Sequence, residues 1–309
     1  MAASCLSMVS LYSTFLHRCI STAGLSSQTI TIDDPNQTTI HFWGPKPKPK
    51  PESISTSKPS LVLIHGFGPH GAWQWRPQIT YFSRKFNLYI PDLVFFGDST
   101  TRSAERSEVF QAVCLGKLLE KLGVQRYHVV GTSYGGFVAY HMGLMWPERV
   151  EKVVIASSGV NLKRKDNEEL LKRAKVEKIE ELMLPATAAQ LRTLMSLSVY
   201  YWLPYVPDFV LNDFLEKLYS ENRKEKMELL KGLTLGRDDN VNITPLKQEV
   251  LIVWGDHDKI FLLEKAIELK ECLAEKAKLE IIKNTSHVPQ LEQAGQFNRV
   301  VKNFLCGVS

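Results

Sequence analysis

Gly131-Thr132-Ser133-Tyr134-Gly135-Gly136 is spaced for nucleophilic chemistry, and it directly follows the apolar segment Tyr127-His128-Val129-Val130. A serine so placed sits on a sharp turn from strand to helix. Gly131 and Gly135 are needed because the helix start crowds the strand, and a Cβ there would collide. The strain lifts the hydroxyl clear of the sheet, where a base can reach it.

A serine hydroxyl is a poor nucleophile at neutral pH, so it needs a positioned base, and the base needs an orienting acid. Of eight histidines, His287 lies in the loop Asn284-Thr285-Ser286-His287-Val288-Pro289, between the last strand and the last helix. It should project over the carboxyl edge of the sheet, the edge that carries the serine turn. His41 and His128 fall within strands, His141 in a helix and His17 in the N-terminal segment, where structural or surface roles are expected. The run Val250–Asp258 offers Asp256 and Asp258 as the acid. Gly255 ends that strand, and a carboxylate three residues beyond can turn back toward the base, which favours Asp258. Asp256 is expected to cap backbone amides of the turn. The strand ending at Ala156 is followed by Ser157-Ser158-Gly159, which supplies no carboxylate.

An acyl carbonyl becomes negative in the transition state and needs preorganised donors. His65-Gly66-Phe67-Gly68 follows the strand Leu61–Ile64, and its glycines let backbone N–H groups turn inward. The amides of Phe67 and Tyr134 are the expected donors, with His65 bracing the loop.

The elements that must position these groups alternate between strand and helix. Near-continuous apolar runs at Leu61–His65, Leu88–Pro91, Tyr127–Gly131, Lys152–Ala156, Val250–Trp254 and Leu279–Ile282 read as strands buried on both faces. Helical patterns at Ser107–Leu122, Tyr134–Trp146, Leu263–Glu275 and Gln290–Leu305 separate most of them. A mostly parallel sheet with helices on both sides follows. Before it, Gln28–Asp33 and Thr39–Trp43 alternate as a hairpin, and the Lys-Pro repeat through Pro51 reads as an extended loop.

Between Ser157 and Glu249 lie about ninety residues, far more than a crossover needs. Apolar spacing predicts helices at Asn167–Leu182, Ala188–Tyr201, Phe209–Tyr219 and Arg223–Leu233, an inserted cap spanning residues 160–245. It divides the core into 28–159 and 246–309. The aromatic cluster Tyr200, Tyr201, Trp202 and Tyr205 is expected to line an apolar substrate pocket, to form a lipid-facing lid, or simply to pack the cap on the body.

Composition narrows the class. The 309 residues carry a formal charge of +5, with both signs interleaved, which speaks against nucleic-acid binding. Five scattered cysteines without C-x-x-C spacing argue against a zinc site and a disulfide scaffold, and predict an intracellular, reducing setting. The cytoplasm is favoured, with a chloroplast or mitochondrion as the alternative. No apolar run is long enough to span a membrane. Residues 1–27 lack acids, and Met8, Tyr12, Phe15, Leu16 and Cys19 fall on one helical face. They read either as an amphipathic helix docked on the body, or weakly on a membrane, or as a targeting segment.

The order Ser133, Asp258, His287, with His-Gly-x-Gly upstream, resembles the α/β-hydrolase fold from about Ser60 to Cys306. Pro91-Asp92-Leu93-Val94-Phe95-Phe96-Gly97-Asp98-Ser99 is similar to that family's D-L-x-G-x-G-x-S loop, with Phe95 at the usual glycine. Ser286-His287-Val288-Pro289-Gln290-Leu291-Glu292 resembles its G-H-x-P-x-x-E motif, with serine for glycine and Ala294 where proline is common. The resemblance is closest to plant esterase/lipase-like members similar to monoacylglycerol lipases. Epoxide hydrolases and haloalkane dehalogenases of this scaffold use an aspartate nucleophile, so Ser133 argues against both.

The resulting expectation is a serine hydrolase that cleaves a small, apolar carboxylic ester through an acyl-Ser133 intermediate, without metal or cofactor. Two rivals stand beside it. C–C bond hydrolases acting on vinylogous diketo acids share the triad, and would want a basic pocket residue such as Arg192 or Arg76. A hydrolase-derived small-molecule receptor would retain the site with slow turnover.

Overall fold

The computed structural model describes residues 7–47, 58–201, 203 and 205–307. Helix α1 (Met8–Thr22) leads into strands β1 (Leu25–Asp33), β2 (Thr38–Pro45) and β3 (Ser60–Ile64). Two short helices, α2 (Gly71–Gln74) and α3 (Arg76–Phe82), precede β4 (Asn87–Pro91). Then α4 (Glu108–Lys121), β5 (Tyr127–Thr132), α5 (Tyr134–Met145) and β6 (Val150–Ala156) alternate. Five helices follow without a strand: α6 (Arg164–Ala174), α7 (Ile179–Met183), α8 (Ala188–Ser198), α9 (Asp208–Leu218) and α10 (Arg223–Gly232). The chain closes with β7 (Glu249–Gly255), α11 (Leu263–Leu273), β8 (Ala277–Ile282), α12 (Pro289–Glu292) and α13 (Ala294–Cys306).

The strands form one sheet of eight in the order β1-β2-β4-β3-β5-β6-β7-β8. From β4 to β8 all neighbours are parallel, while β1–β2 and β2–β4 pair antiparallel. Val129, Val130, Val153, Val154, Ile252 and Val253 are fully buried, as the unbroken apolar runs require of strands covered on both faces. The parallel register brings the carboxyl ends of β3, β5 and β7, and the loop after β8, to one edge.

Several boundaries differ from expectation for local reasons. The helix expected over Asn167–Leu182 breaks into α6 and α7, because Lys175 takes a left-handed conformation (φ 56°) and ends the first segment. The helix expected over Ala188–Tyr201 stops at Ser198, since Val199 is extended. Helices α2 and α3 carry too few residues to show a period, and Pro77 opens the second of them.

Helix α1 is present, but rotated from the expected face. Val9, Leu16 and Ile20 are buried, whereas Met8, Tyr12 and Phe15 are exposed. The amphipathic reading counted the longest apolar arc, while docking uses the adjacent one. That choice is fixed by specific bonds: Val9 N–H donates to Asp213 Oδ2 of α9 (2.9 Å), and Trp73 Nε1 donates to Ser13 Oγ (3.1 Å). Part of the Lys-Pro loop, residues 48–51, lies outside the described residues. Among the described residues, no helix is long and apolar enough to cross a membrane.

Candidate active site

Ser133 stands between β5 and α5 with φ 50° and ψ −122°, a strained conformation for a residue with a side chain. The turn is tight because the helix leaves directly over the strand. A Cβ on Gly131 would lie 2.1 Å from the carbonyl oxygen of Gly135, and one on Gly135 would lie 2.3 Å from that of Ile64. Ser158 Oγ donates to the Ser133 carbonyl (2.6 Å) and fixes the turn from the β6 side. Sequence reasoning had read that Ser157-Ser158-Gly159 loop only as lacking a carboxylate.

Three side chains meet at this point. His287 Nε2 lies 2.9 Å from Ser133 Oγ, and His287 Nδ1 lies 2.9 and 3.2 Å from the two carboxylate oxygens of Asp258. The Asp258 carboxylate is fully enclosed, and its Oδ1 also accepts the Ile260 and Phe261 amides (2.9 and 3.0 Å). An acid held this way accepts from Nδ1–H, leaving Nε2 free to accept the serine proton. Asp256 points elsewhere: it contacts His257 Nδ1 (2.7 Å) and the Thr285 amide (3.4 Å).

The loop after β3 presses on the serine from the other side, since a Cβ on Gly66 would sit 2.9 Å from Ser133 Cβ. Gln74 clamps this loop, accepting from Gly66 N–H and donating to the Gly66 carbonyl (2.9 Å each). His65 is buried below it. Nδ1 donates to the Gly66 carbonyl (2.8 Å), and Nε2 accepts from Leu93 N–H (3.0 Å). Burial lowers its pKa to about 4, so this tautomer persists as the neutral ring. Among the described residues, neither the Phe67 nor the Tyr134 amide is claimed by another group. Gly68 has φ 137°, with the Tyr219 hydroxyl 3.1 Å from where a Cβ would stand. In the loop after β4, Phe95 takes φ 73° at the position where a glycine was the usual residue.

Ser133 and His287 open onto a cavity of about 460 Å³. Its walls come from the body (Phe67, Trp73, Ile260, Leu291) and from facing turns of α8 and α9 (Leu191, Leu194, Met195, Val210, Leu211, Phe214). Among the described residues of the expected aromatic lining, Tyr200, Tyr201 and Tyr205 do not form part of these walls. Tyr201 and Tyr205 are 73% and 94% exposed, and Tyr200 packs its ring 4.4 Å from that of His257. The reason is the loop's anchoring: Glu292 accepts the Tyr200 amide (2.6 Å) and Arg192 binds the Val206 carbonyl (2.8 Å), which turns the segment outward. Trp202 lies outside the described residues.

The same carboxylate ties the helical insertion to the histidine loop. Glu292 accepts the Ser286 amide (2.7 Å), Ser286 Oγ donates to the Leu197 carbonyl (2.8 Å), and His287 N–H donates to the Ser198 carbonyl (3.0 Å). Half-burial, with Asp258 nearby, raises the Glu292 pKa. Sequence reasoning saw Glu292 only as part of a motif. Trp73 and Gln74 gave no sequence signal, because α2 is a single turn.

A strand–turn–helix serine, an enclosed His–Asp pair and a parallel sheet with inserted helices define an α/β hydrolase. The chain belongs to the alpha/beta hydrolase fold family, whose model matches residues 59–294. Among curated relatives it is similar to 2-hydroxy-6-oxononadienedioate/2-hydroxy-6-oxononatrienedioate hydrolases. That of Pseudomonas putida is 26% identical, covering 80% of this chain and 88% of the relative. That of Escherichia coli (strain K12) is 27% identical, covering 80% and 86%. Among solved structures, a protein named as a putative lipase from Acinetobacter baumannii AYE superposes with a TM-score of 0.75 at 23% identity, covering 96% of both chains. A carboxylesterase from Bacillus subtilis gives 0.65 at 20% identity, covering 96% of this chain and 98% of the other. These two likenesses carry the fold alone. The relatives are bacterial and do not bear on the plant branch expected from the motifs.

Proposed function

We propose that the protein is a serine hydrolase that cleaves a carboxylic ester. The observation that carries this reading is the chain from Asp258 through His287 to Ser133 Oγ, closing one wall of an apolar cavity. Ser133 attacks the acyl carbonyl while His287 Nε2 takes its proton, and Asp258 stabilises the imidazolium. The Phe67 and Tyr134 amides receive the oxyanion, each such donor being worth about 3 kcal/mol of barrier. His287 then protonates the leaving alcohol and activates water to release the acyl group. Helices α6 to α10 act as a cap, and α8 and α9 supply the apolar wall against which an acyl or alcohol chain packs.

A second reading is supported by the curated relatives, whose names describe hydrolases of vinylogous diketo acids. Hydrolysis of such a C–C bond uses the same serine, and its substrates carry carboxylates. Arg192 is not placed for that role, since it pairs with Asp208 and does not line the cavity, whereas Arg76 does line it. Steady-state assays on p-nitrophenyl esters of two to twelve carbons, beside a 2-hydroxy-6-oxo-dienoate, separate the two. The ester reading expects kcat/KM to be at least about a hundredfold higher on the best ester. The reverse ratio makes the protein a C–C hydrolase.

A further inference from the structure

The cavity is apolar except at a few points, and two of its three ionisable side chains other than tyrosine are already spoken for. His287 holds Ser133 and Asp258, and Glu292 holds two backbone amides. Arg76 is different. It lines the cavity, whereas Arg192, the arginine of the neighbouring helical insertion, pairs with Asp208 outside it. Among the described residues, no carboxylate lies within ion-pair distance of Arg76, although it is partly buried. Its Nη1 donates to the Trp73 carbonyl, and its guanidinium carbon lies 5.8 Å from the centre of the Trp73 ring. The Tyr12 side chain of α1 is also close enough to act on its charge. Trp73 is held in turn by Ser13 of α1 and by the Phe214 ring of α9 (5.9 Å).

A guanidinium offers five N–H donors in a fixed fork, and these neighbours use only part of it. Withdrawing a cation from water without a counter-charge is costly, and the cost is recovered when an anion arrives. The planar fork suits a carboxylate bidentately, and an apolar enclosure strengthens such a pair. We propose that Arg76 is an anion-binding subsite, and that the molecule taken up by this cavity carries a carboxylate in addition to the bond that is cleaved. The inference rests on the hydrolase reading only in calling that molecule a substrate, and it holds for an ester or a C–C substrate alike. Trp73 positions the guanidinium through its carbonyl and ring, and α1 braces Trp73 through Ser13.

The test measures binding without turnover, by calorimetry on the full chain. The probes are N-hexylsuccinamate, an amide with one carboxylate, and its neutral counterpart N-hexylbutyramide. Wild type should bind the anion at least about tenfold more tightly, the scale expected for one charge-assisted pair. Arg76→Gln should erase that preference while leaving the neutral amide within about twofold, Arg76→Lys should keep part of it, and Arg192→Gln should change neither. Equal weakening of both probes in Arg76→Gln would mean lost packing, and would overturn the subsite. So would an unchanged anion affinity, or a wild type that binds neither probe. Nitrophenyl hemisuccinate and nitrophenyl butyrate, assayed in parallel, separate this inference from the function. If wild type turns over neither ester but binds the anion through Arg76, the ester reading fails and the subsite stands. If both esters turn over with the same KM in wild type and Arg76→Gln, the subsite fails and the ester reading stands.

Discussion

At the scale of single residues, the geometry divides labour between two neighbouring acids. Asp258 is enclosed and bonded to His287, while Asp256 faces His257 on the outer side of the same turn. Asp258→Asn should therefore lower kcat by about a thousandfold or more, because an amide disturbs the imidazole tautomer. Asp256→Asn should stay within about tenfold, and the reverse order in kinetics would reassign the acid. His65 predicts a pH effect on stability. Its folded pKa, about 4, lies below the ordinary 6.5, so between those values the unfolded chain binds the extra proton. The stabilisation is present in full above pH 6.5 and is lost as pH falls toward 4, by up to ~3 kcal/mol. Urea unfolding at pH 7 and pH 4.5 should show a smaller difference in His65→Gln than in wild type. Ser133, His287 and Asp258 could be singled out from sequence because each sits at a fixed offset from a strand end. Trp73, Gln74 and Arg76 could not be grouped that way, since they fall in two short helices, of four and seven residues, too brief to show a period. The tyrosines at 200, 201 and 205 misled for the opposite reason, as aromatic density says nothing about which way a loop is anchored.

At the scale of elements, two segments do more than their sequence suggested. Helix α1 packs against the body and α9 together, with Ile20 and Leu16 in the same core as Trp73. Ile20→Ala should cost about 2–4 kcal/mol in denaturant unfolding, as for other large-to-small changes at buried sites. A loss below 0.5 kcal/mol would show the helix to be loosely attached. Its existence was legible from apolar spacing, but its rotation was not, because two adjacent arcs were both apolar and only Asp213 and Trp73 choose between them. The second segment is α12, through Glu292. One carboxylate serves the Tyr200 and Ser286 amides, and so couples the end of α8 to the loop that carries His287. In Glu292→Gln one of those amides faces an NH₂ group and loses its acceptor, at about 1–3 kcal/mol. Activity should fall with stability in that variant. Full activity with a lowered melting temperature would show that the tie serves the fold alone.

At the scale of the whole molecule, the parallel sheet gathers residues 66, 133, 258 and 287 to one edge from four separate connections. Five helices between β6 and β7 close the space above them. The mostly parallel sheet and the long insertion could be anticipated, since buried strands write continuous apolar runs and about ninety residues far exceed what a crossover needs; the strand order could not be read that way. The cavity's lining could not, because it depends on how α8 and α9 settle on the sheet. The account turns on Ser133 as nucleophile, and peptide-mapped mass spectrometry after reaction with a fluorophosphonate tests that most directly. It predicts one adduct, on Ser133, absent from a folded Ser133→Ala variant and slowed at least about a hundredfold in His287→Ala. An adduct on a different serine, or none on folded wild-type protein, would contradict it.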